Sequence, residues 1–260
     1  MKFPKQSSIF LQQEVSFTDW QTQVATYRDV FLKESAQSYL LFCQDSYQFS
    51  LYFFALIAAN KRIVLPPNNQ PLQVVQCMSH ADVYLTDSKD SDIKFKENDL
   101  SYPLVKRFDL SLFLPLPETN DGDRELTLDA NCDIIFFTSG SSGQAKAINK
   151  TFAQLIIEVE QLEKSFAEQM ADEESSTIVM ATVSHQHIYG LLFKLLWPLW
   201  SGRDLYLKAF AYPEHLAHQM SLFQQTTKLI PALAQASKRK VCLISSPAYY
   251  HRLLADNVLI

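Results

Sequence analysis

Asp133 to Lys146 reads DIIFFTSGSSGQAK: an apolar run of buried-strand character leads into a loop of hydroxyls and glycines, and a lysine closes it. The 260 residues hold only five glycines, and two of them, Gly140 and Gly143, fall here. Thr138, Ser139, Ser141 and Ser142 supply the hydroxyls. Glycine lets a backbone turn tightly and come close to an anion. Successive amides in such a turn point into one concavity and bind negative charge. Hydroxyls add short donors, and Lys146 adds a mobile positive charge. The combination suits a polyphosphate. Serine and glycine are also ordinary turn residues, so the strand before the loop and the lysine after it carry the reading. The loop is not a Walker A sequence, which needs glycine directly before the lysine and a hydroxyl directly after it. Lys146 lies between Ala145 and Ala147, which disfavours an ordinary P-loop kinase or GTPase.

Outward from this loop the chain alternates between strand-like and helical segments. Thr18 and Asp19 can begin a helix whose apolar positions Trp20, Val24, Tyr27 and Phe31 recur at helical spacing. Tyr39 to Cys43 is a buried-strand run, followed by a helix from near Asp45 to Asn60. Arg62 to Pro66 and Val83 to Thr86 read as strands, with Pro71 in the first turn of a short helix between them. Thr151 can cap a helix carrying Leu155, Val159, Leu162, Phe166 and Met170 on one face. Ile178 to Thr182, Asp204 to Leu207 and Val241 to Ser245 are further strands. This alternation predicts an α/β fold with a largely parallel sheet. The stretch Pro115 to Asp133 clusters proline, asparagine, aspartate and glycine, as a surface connection does. It divides the sequence into an amino-terminal α/β subdomain, 1–131, and a second one, 132–260, that carries the loop.

Apolar residues at 47% and charged residues at 20% are globular proportions. A net charge of −5 gives no electrostatic reason to expect nucleic acid. The run Lys238-Arg239-Lys240 reads as a solvated turn before a strand. Cys43, Cys77, Cys132 and Cys242 are widely spaced and form no CxxC pair, which predicts buried free thiols. The first fifteen residues lack the apolar core of a signal peptide, and the apolar stretch Gly190 to Trp200 is interrupted by Lys194 and Pro198. The expectation is a cytoplasmic protein without a membrane span.

Thr138 to Lys146 resembles the phosphate-binding signature of the adenylate-forming superfamily, which includes acyl-CoA synthetases, luciferases and peptide-synthetase adenylation domains. That signature runs hydroxyl, Ser, Gly, hydroxyl, Thr, Gly, any residue, Pro, Lys, Gly. Thr138, Ser139, Gly140, Ser141, Gly143 and Lys146 match it, and Ser142 keeps a hydroxyl where threonine is usual. Ala145 and Ala147 depart from its proline and glycine. Downstream, Ser184 to Gly190 (SHQHIYG) is similar to the family's His-x-x-Gly region, with His187 and Gly190 as the matching pair. The early helix TDWQTQVATYRDVF, the segment from Tyr47 to Pro71 and SSPAYYHRLL follow the family's order as looser matches. His185 and His187 also invite a metal-pair reading, but no carboxylate or third ligand stands near them in sequence, so no metal ligand is assigned.

The resemblance implies layered sheets with helices on both faces, as in the amino-terminal subdomains of such ligases. It implies an AMP-forming reaction: a fatty or aryl carboxylate attacks the α-phosphorus of ATP, and a thiol of coenzyme A or a carrier protein receives the acyl group. Thr138 to Gly143 and Lys146 are then the ATP-phosphate residues, Lys146 the candidate catalytic charge, and Mg2+ the bridging cation. His187 and Gly190 are expected beside the acid. Relatives carry further motifs for adenine, ribose and a catalytic lysine that have no match within 260 residues. The expectation is therefore the amino-terminal region of a ligase that works when the rest is present and turns over weakly or not at all alone, or a truncated, non-catalytic binding or interaction module of the same fold.

Overall fold

The computed structural model describes residues 1–4, 9–10, 15–87, 126–138, 146–170, 177–229 and 240–255, a few of them by backbone alone. Contacts divide the chain into two units: Met1–Phe3, Phe17–Glu158 and Gln186–Ile188 form the first, and Pro4–Ser16, Val159–His185 and Tyr189–Ile260 the second.

The first unit opens with helix α1, Phe17–Lys33, whose Trp20, Val24, Tyr27 and Phe31 are buried at the spacing the sequence shows. Strand β3, Ser38–Phe42, follows, and then helix α2, Ser46–Ala58. Asp45 caps α2 by accepting the Gln48 amide at 2.7 Å, and Asn60, at φ 52°, ends that turn in the left-handed region that asparagine tolerates. Strand β4 is Arg62–Leu65, helix α3 is Pro71–Met78 with proline in its first turn, and strand β5 is Val83–Thr86. Strands β6, Asp133–Thr138, and β7, Lys146–Thr151, complete a sheet of order β5-β3-β4-β6-β7. The four strands from β5 to β6 are parallel, with Tyr39 opposite both Ile63 and Val83, and Ile63 opposite Ile134. β7 runs antiparallel at the edge.

Alternation along the strands sends one set of side chains to each face. Leu40, Phe42, Val64, Tyr84, Ile135 and Phe137 pack with Val74, Cys77 and Met78 of α3. Tyr39 turns the other way, meeting Phe31 of α1 at a ring separation of 5.2 Å. On that side Phe3, Phe17, Trp20 and Phe54 form an aromatic cluster with centroids 5.1–5.5 Å apart. Each such pair adds about 0.5–1.5 kcal/mol beyond its buried area. The indole of Trp20 is satisfied by Ser50 Oγ at 3.0 Å. Covered on both sides, these strands need continuous apolar runs, which is what the sequence offers.

The second unit repeats the plan: four parallel strands and an antiparallel edge strand, in the order β10-β8-β9-β1-β2. Its strands are β1 (Ile9–Phe10), β2 (Val15–Ser16), β8 (Thr177–Ala181), β9 (Asp204–Ala209) and β10 (Lys240–Ile244). Helix α4, Phe152–Met170, precedes β8. Between β8 and β9 lie α5, Ile188–Gly190, a π-helical turn, Leu191–Leu196, and α6, Trp197–Ser201. Gly202, at φ 70°, stops α6, and the Arg203 amide closes back on Pro198 O at 2.9 Å. Helices α7, Pro213–Leu229, and α8, Pro247–Ala255, follow β9 and β10. Leu216, Tyr249 and Leu253 of these helices pack on Ile178, Met180 and Tyr206.

The predicted strands and helices are present. Three readings change in detail. Leu155 and Val159 of α4 are buried, but Phe166 is 39% exposed, with its ring 5.9 Å from Trp197. Lys146 opens a strand rather than merely closing a loop. The first unit reaches past residue 131 because β6 and β7 pair with β4 and with each other. Lys238, Arg239 and the connection up to residue 125 lie outside the described residues. Cys43, Cys77 and Cys132 are buried free thiols, as expected, and Cys242 is half-buried. Burial pushes the Cys77 and Cys132 thiols up to about 12, which keeps them unreactive. Among the described residues no helix is long and apolar enough to cross a membrane.

Candidate active site

β6 and β7 form an antiparallel hairpin with Thr138 opposite Lys146 and Asp133 opposite Thr151. The hydroxyl–glycine loop is therefore the connection of a hairpin. Ser139, Gly140, Ser141, Ser142 and Gly143 lie outside the described residues; Thr138, by its backbone, and Lys146 lie within them. The two ends of the loop are fixed. Ile134 to Phe137 are buried, and Phe137 meets the ring of His80 edge-on at 5.2 Å. At the foot of β7, the Thr151 amide donates to Gln154 Oε1 at 2.9 Å, and the Gln154 amide donates to Thr151 Oγ1 at 3.3 Å. This reciprocal capping box starts α4 where the sequence places it. Lys150 and Glu158 add an ion pair of 2.5 Å beside it.

Parallel strands share one carboxyl edge, and ligands of open α/β sheets bind beyond that edge. Here it holds Cys43 after β3, Pro66 after β4, Asp87 after β5 and Thr138 at the end of β6. Lys146 joins them through the hairpin register. It is solvent-exposed and makes no ion pair among the described residues. An exposed ammonium at this edge is placed to meet a polyanion. At the opposite edge of the sheet, Asp87, just after β5, accepts the amides of Gln44 and Asp45, each at 2.8 Å. The chain leaving β3 is thus held by the aspartate that follows its neighbour β5.

The second predicted pair is divided between the units. His187 is exposed and groups with the first unit, as do Gln186 and Ile188. Gly190 groups with the second, where its backbone comes against that of Ser184. His185 is buried. Among the described residues no three His, Cys, Asp or Glu side chains gather as a metal site. A cation that accompanies ATP would take its ligands largely from phosphate oxygens, and the hydroxyl-rich loop suits that arrangement.

Three features at this edge escape sequence reasoning. β7 lacks the apolar run of an interior strand, since Lys146 to Asn149 are all exposed. Asp87 reads as an ordinary turn aspartate until its two amides are seen. Gln186, 5% exposed, donates through Nε2 to Cys43 O at 2.9 Å, across 143 residues of sequence.

The hairpin, the sheet order and the His187–Gly190 segment define an adenylate-forming ligase fold, and the chain belongs to the AMP-binding enzyme family, which it matches over residues 3–253. No curated protein sequence matches it. Among solved structures it is similar to o-succinylbenzoate CoA synthetase of Bacillus subtilis in complex with its acyl-adenylate intermediate: TM-score 0.65 at 16% identity, over 94% of this chain and 66% of that one. It is similar to the fatty acid AMP ligase of Legionella pneumophila, at TM-score 0.64 and 17% identity, over 86% of this chain and 40% of that one. The N-terminal subdomain of Klebsiella oxytoca NpsA in complex with 3-hydroxybenzoyl-AMSN gives a TM-score of 0.61 at 13% identity, over 95% and 70%. The chain thus spans 40% of the Legionella ligase and 66% of the Bacillus synthetase. At these identities the likeness is one of fold, and the fold is the amino-terminal part of adenylate-forming ligases.

Proposed function

We propose that the protein takes part in AMP-forming activation of a carboxylic acid, fatty or aryl, in the cytoplasm. The carrying observation is the hairpin: a hydroxyl–glycine loop between Thr138 and Lys146, leaving the carboxyl edge of a parallel sheet beside an exposed lysine that has no ion pair among the described residues. In this reading the amides and hydroxyls of Thr138, Ser139, Gly140, Ser141, Ser142 and Gly143 wrap the β- and γ-phosphates of ATP. Lys146 offsets the charge that develops on departing pyrophosphate, a preorganised electrostatic contribution. Mg2+ accompanies the nucleotide. The acid carboxylate attacks the α-phosphorus, forming an acyl-adenylate as the bond to pyrophosphate breaks. His187 and Gly190 lie toward the acid, and a thiol of coenzyme A or a carrier protein takes the acyl group.

The test is acid-dependent ATP–pyrophosphate exchange with octanoate and benzoate as probes. Exchange that needs both acid and Mg2+ and falls in Lys146→Ala supports the reading; no binding of Mg2+-ATP in calorimetry rejects it. A second reading is a binding module of the same fold that holds nucleotide or acyl-adenylate without turnover; the similar N-terminal subdomain of NpsA is solved in complex with 3-hydroxybenzoyl-AMSN. Binding of 3-hydroxybenzoyl-AMSN without any exchange would select it.

A further inference from the structure

We propose that Gln186 is the positioning residue for His187, locking that histidine to the carboxyl edge of the sheet that carries the phosphate hairpin. Gln186 is 5% exposed, and its Nε2 donates to the carbonyl of Cys43 at 2.9 Å. Cys43 itself is fully buried and directly follows β3. The two residues after it are already held, their amides on Asp87 at 2.8 Å. Gln186 therefore grips a fixed point of the first unit, to which it, His187 and Ile188 all belong. His187 has no such burial of its own, being solvent-exposed. A peptide bond is all that separates a buried, hydrogen-bonded amide from an exposed imidazole, so the first determines where the second stands.

Methionine can fill the place of glutamine yet cannot donate to Cys43 O. Losing that bond removes a contact worth about a tenfold change in the equilibrium between held and released positions of the segment. A satisfied structural glutamine elsewhere would move stability alone; this one moves the histidine beside it.

The decisive experiment is histidine-labelled NMR of the whole chain. His187 is assigned by its loss in His187→Gln. In Gln186→Met the His187 ring signal moves or broadens, while those of His215 and His218 stay in place. An unmoved His187 signal in folded Gln186→Met overturns the proposal. Wild-type protein offers a check that needs no variant: the Gln186 side-chain amide protons exchange slowly with solvent, and fast exchange overturns it equally. What His187 serves rests on the acid-ligase reading. There, Gln186→Met raises KM for octanoate or benzoate about tenfold while KM for ATP stays within about twofold. Parallel rises in both would overturn a positioning role toward the acid. Loss of all exchange in wild type, with the His187 signal still moved by Gln186→Met, would sink the ligase reading and leave the positioning standing.

Discussion

Gly190 comes so near Ser184 that a β-carbon on it would stand 1.9 Å from the Ser184 carbonyl oxygen. Its φ of −68° and ψ of −35° are ordinary helical values, so the need for glycine is steric and not conformational. Sequence patterning marks Gly190 as one half of a motif; the structure gives the residue a packing role within the second unit. Gly190→Ala forces backbone apart, because the opposing atom is a carbonyl and not a flexible side-chain tip. The expected loss is about 2–3 kcal/mol, at the upper end for overpacking. Thermal unfolding followed by circular dichroism checks it, with a fall of about 5–10 °C in Tm. An unchanged Tm would contradict the close approach.

Lys146 is expected to behave in the opposite way. It is exposed at the start of an edge strand and holds no described carboxylate. Lys146→Ala leaves stability within about 0.5 kcal/mol, as for surface positions free of specific contacts. Affinity for ATP falls about tenfold, corresponding to one lost charge-assisted contact. Calorimetric titration with Mg2+-ATP and a melting curve on the same sample separate the two effects. A large Tm drop would show a structural lysine.

Asp87 holds the amides of Gln44 and Asp45 at the carboxyl end of β3, while Asp82 holds those of Gln37 and Ser38 at its amino end, at 2.9 and 3.0 Å. The two aspartates flank β5 and clamp the neighbouring strand at both ends. Those amide bonds, the Gln37 amide first, draw the Asp82 carboxyl below its ordinary range. Asp87→Ala frees two donors that are near water, so the expected loss is about 1–2 kcal/mol. Amide hydrogen exchange localises it: Gln44 and Asp45 lose protection, while Gln37 and Ser38 keep theirs.

The legible and illegible parts of the fold differ for a physical reason. β3, β4, β5 and β6 are covered on both faces, so their apolar runs stand out along the chain. Asp45, Pro71 and Thr151 act within a few residues of themselves, and local chemistry is visible in local sequence. β7 has one neighbour and four exposed residues, which leaves no hydrophobic pattern to find. The π turn at Leu191–Leu196 is apolar nearly all round, and such a run does not distinguish a wider helical turn from an ordinary one. Asp82, Asp87 and Gln186 bond to partners 42 to 143 residues away. The loop can be proposed from sequence because the argument rests on residue types; the grip of Gln186 on Cys43 could not, because it resides in tertiary geometry.

Glu163 provides a pH-dependent test of the second unit. Its Oε2 accepts from Trp197 Nε1 and Ser201 Oγ, both at 2.8 Å, and from Arg203 Nη1 at 2.5 Å, while Oε1 accepts from Nη2 at 3.0 Å. The guanidinium also stands 5.3 Å from the centre of the Trp197 ring. Burial alone would raise this carboxyl, but the bonds from Arg203, Trp197 and Ser201 outweigh it and hold it at about 2, against an ordinary 4.5. A depressed carboxyl stabilises the fold above the unfolded value and loses that contribution as pH falls toward the folded one. The window is therefore between about 4.5 and 2. Glu163→Gln keeps the shape, removes the charge and cannot accept from all four donors. Because the side chain is still 28% exposed, the expected cost at pH 7 is discounted to about 1–2 kcal/mol. Urea midpoints for wild type and Glu163→Gln should be well separated at pH 7 and converge as pH drops through that window. A gap that stays constant down to the acid end would mean that packing, and not the carboxylate, joins α4 to α6.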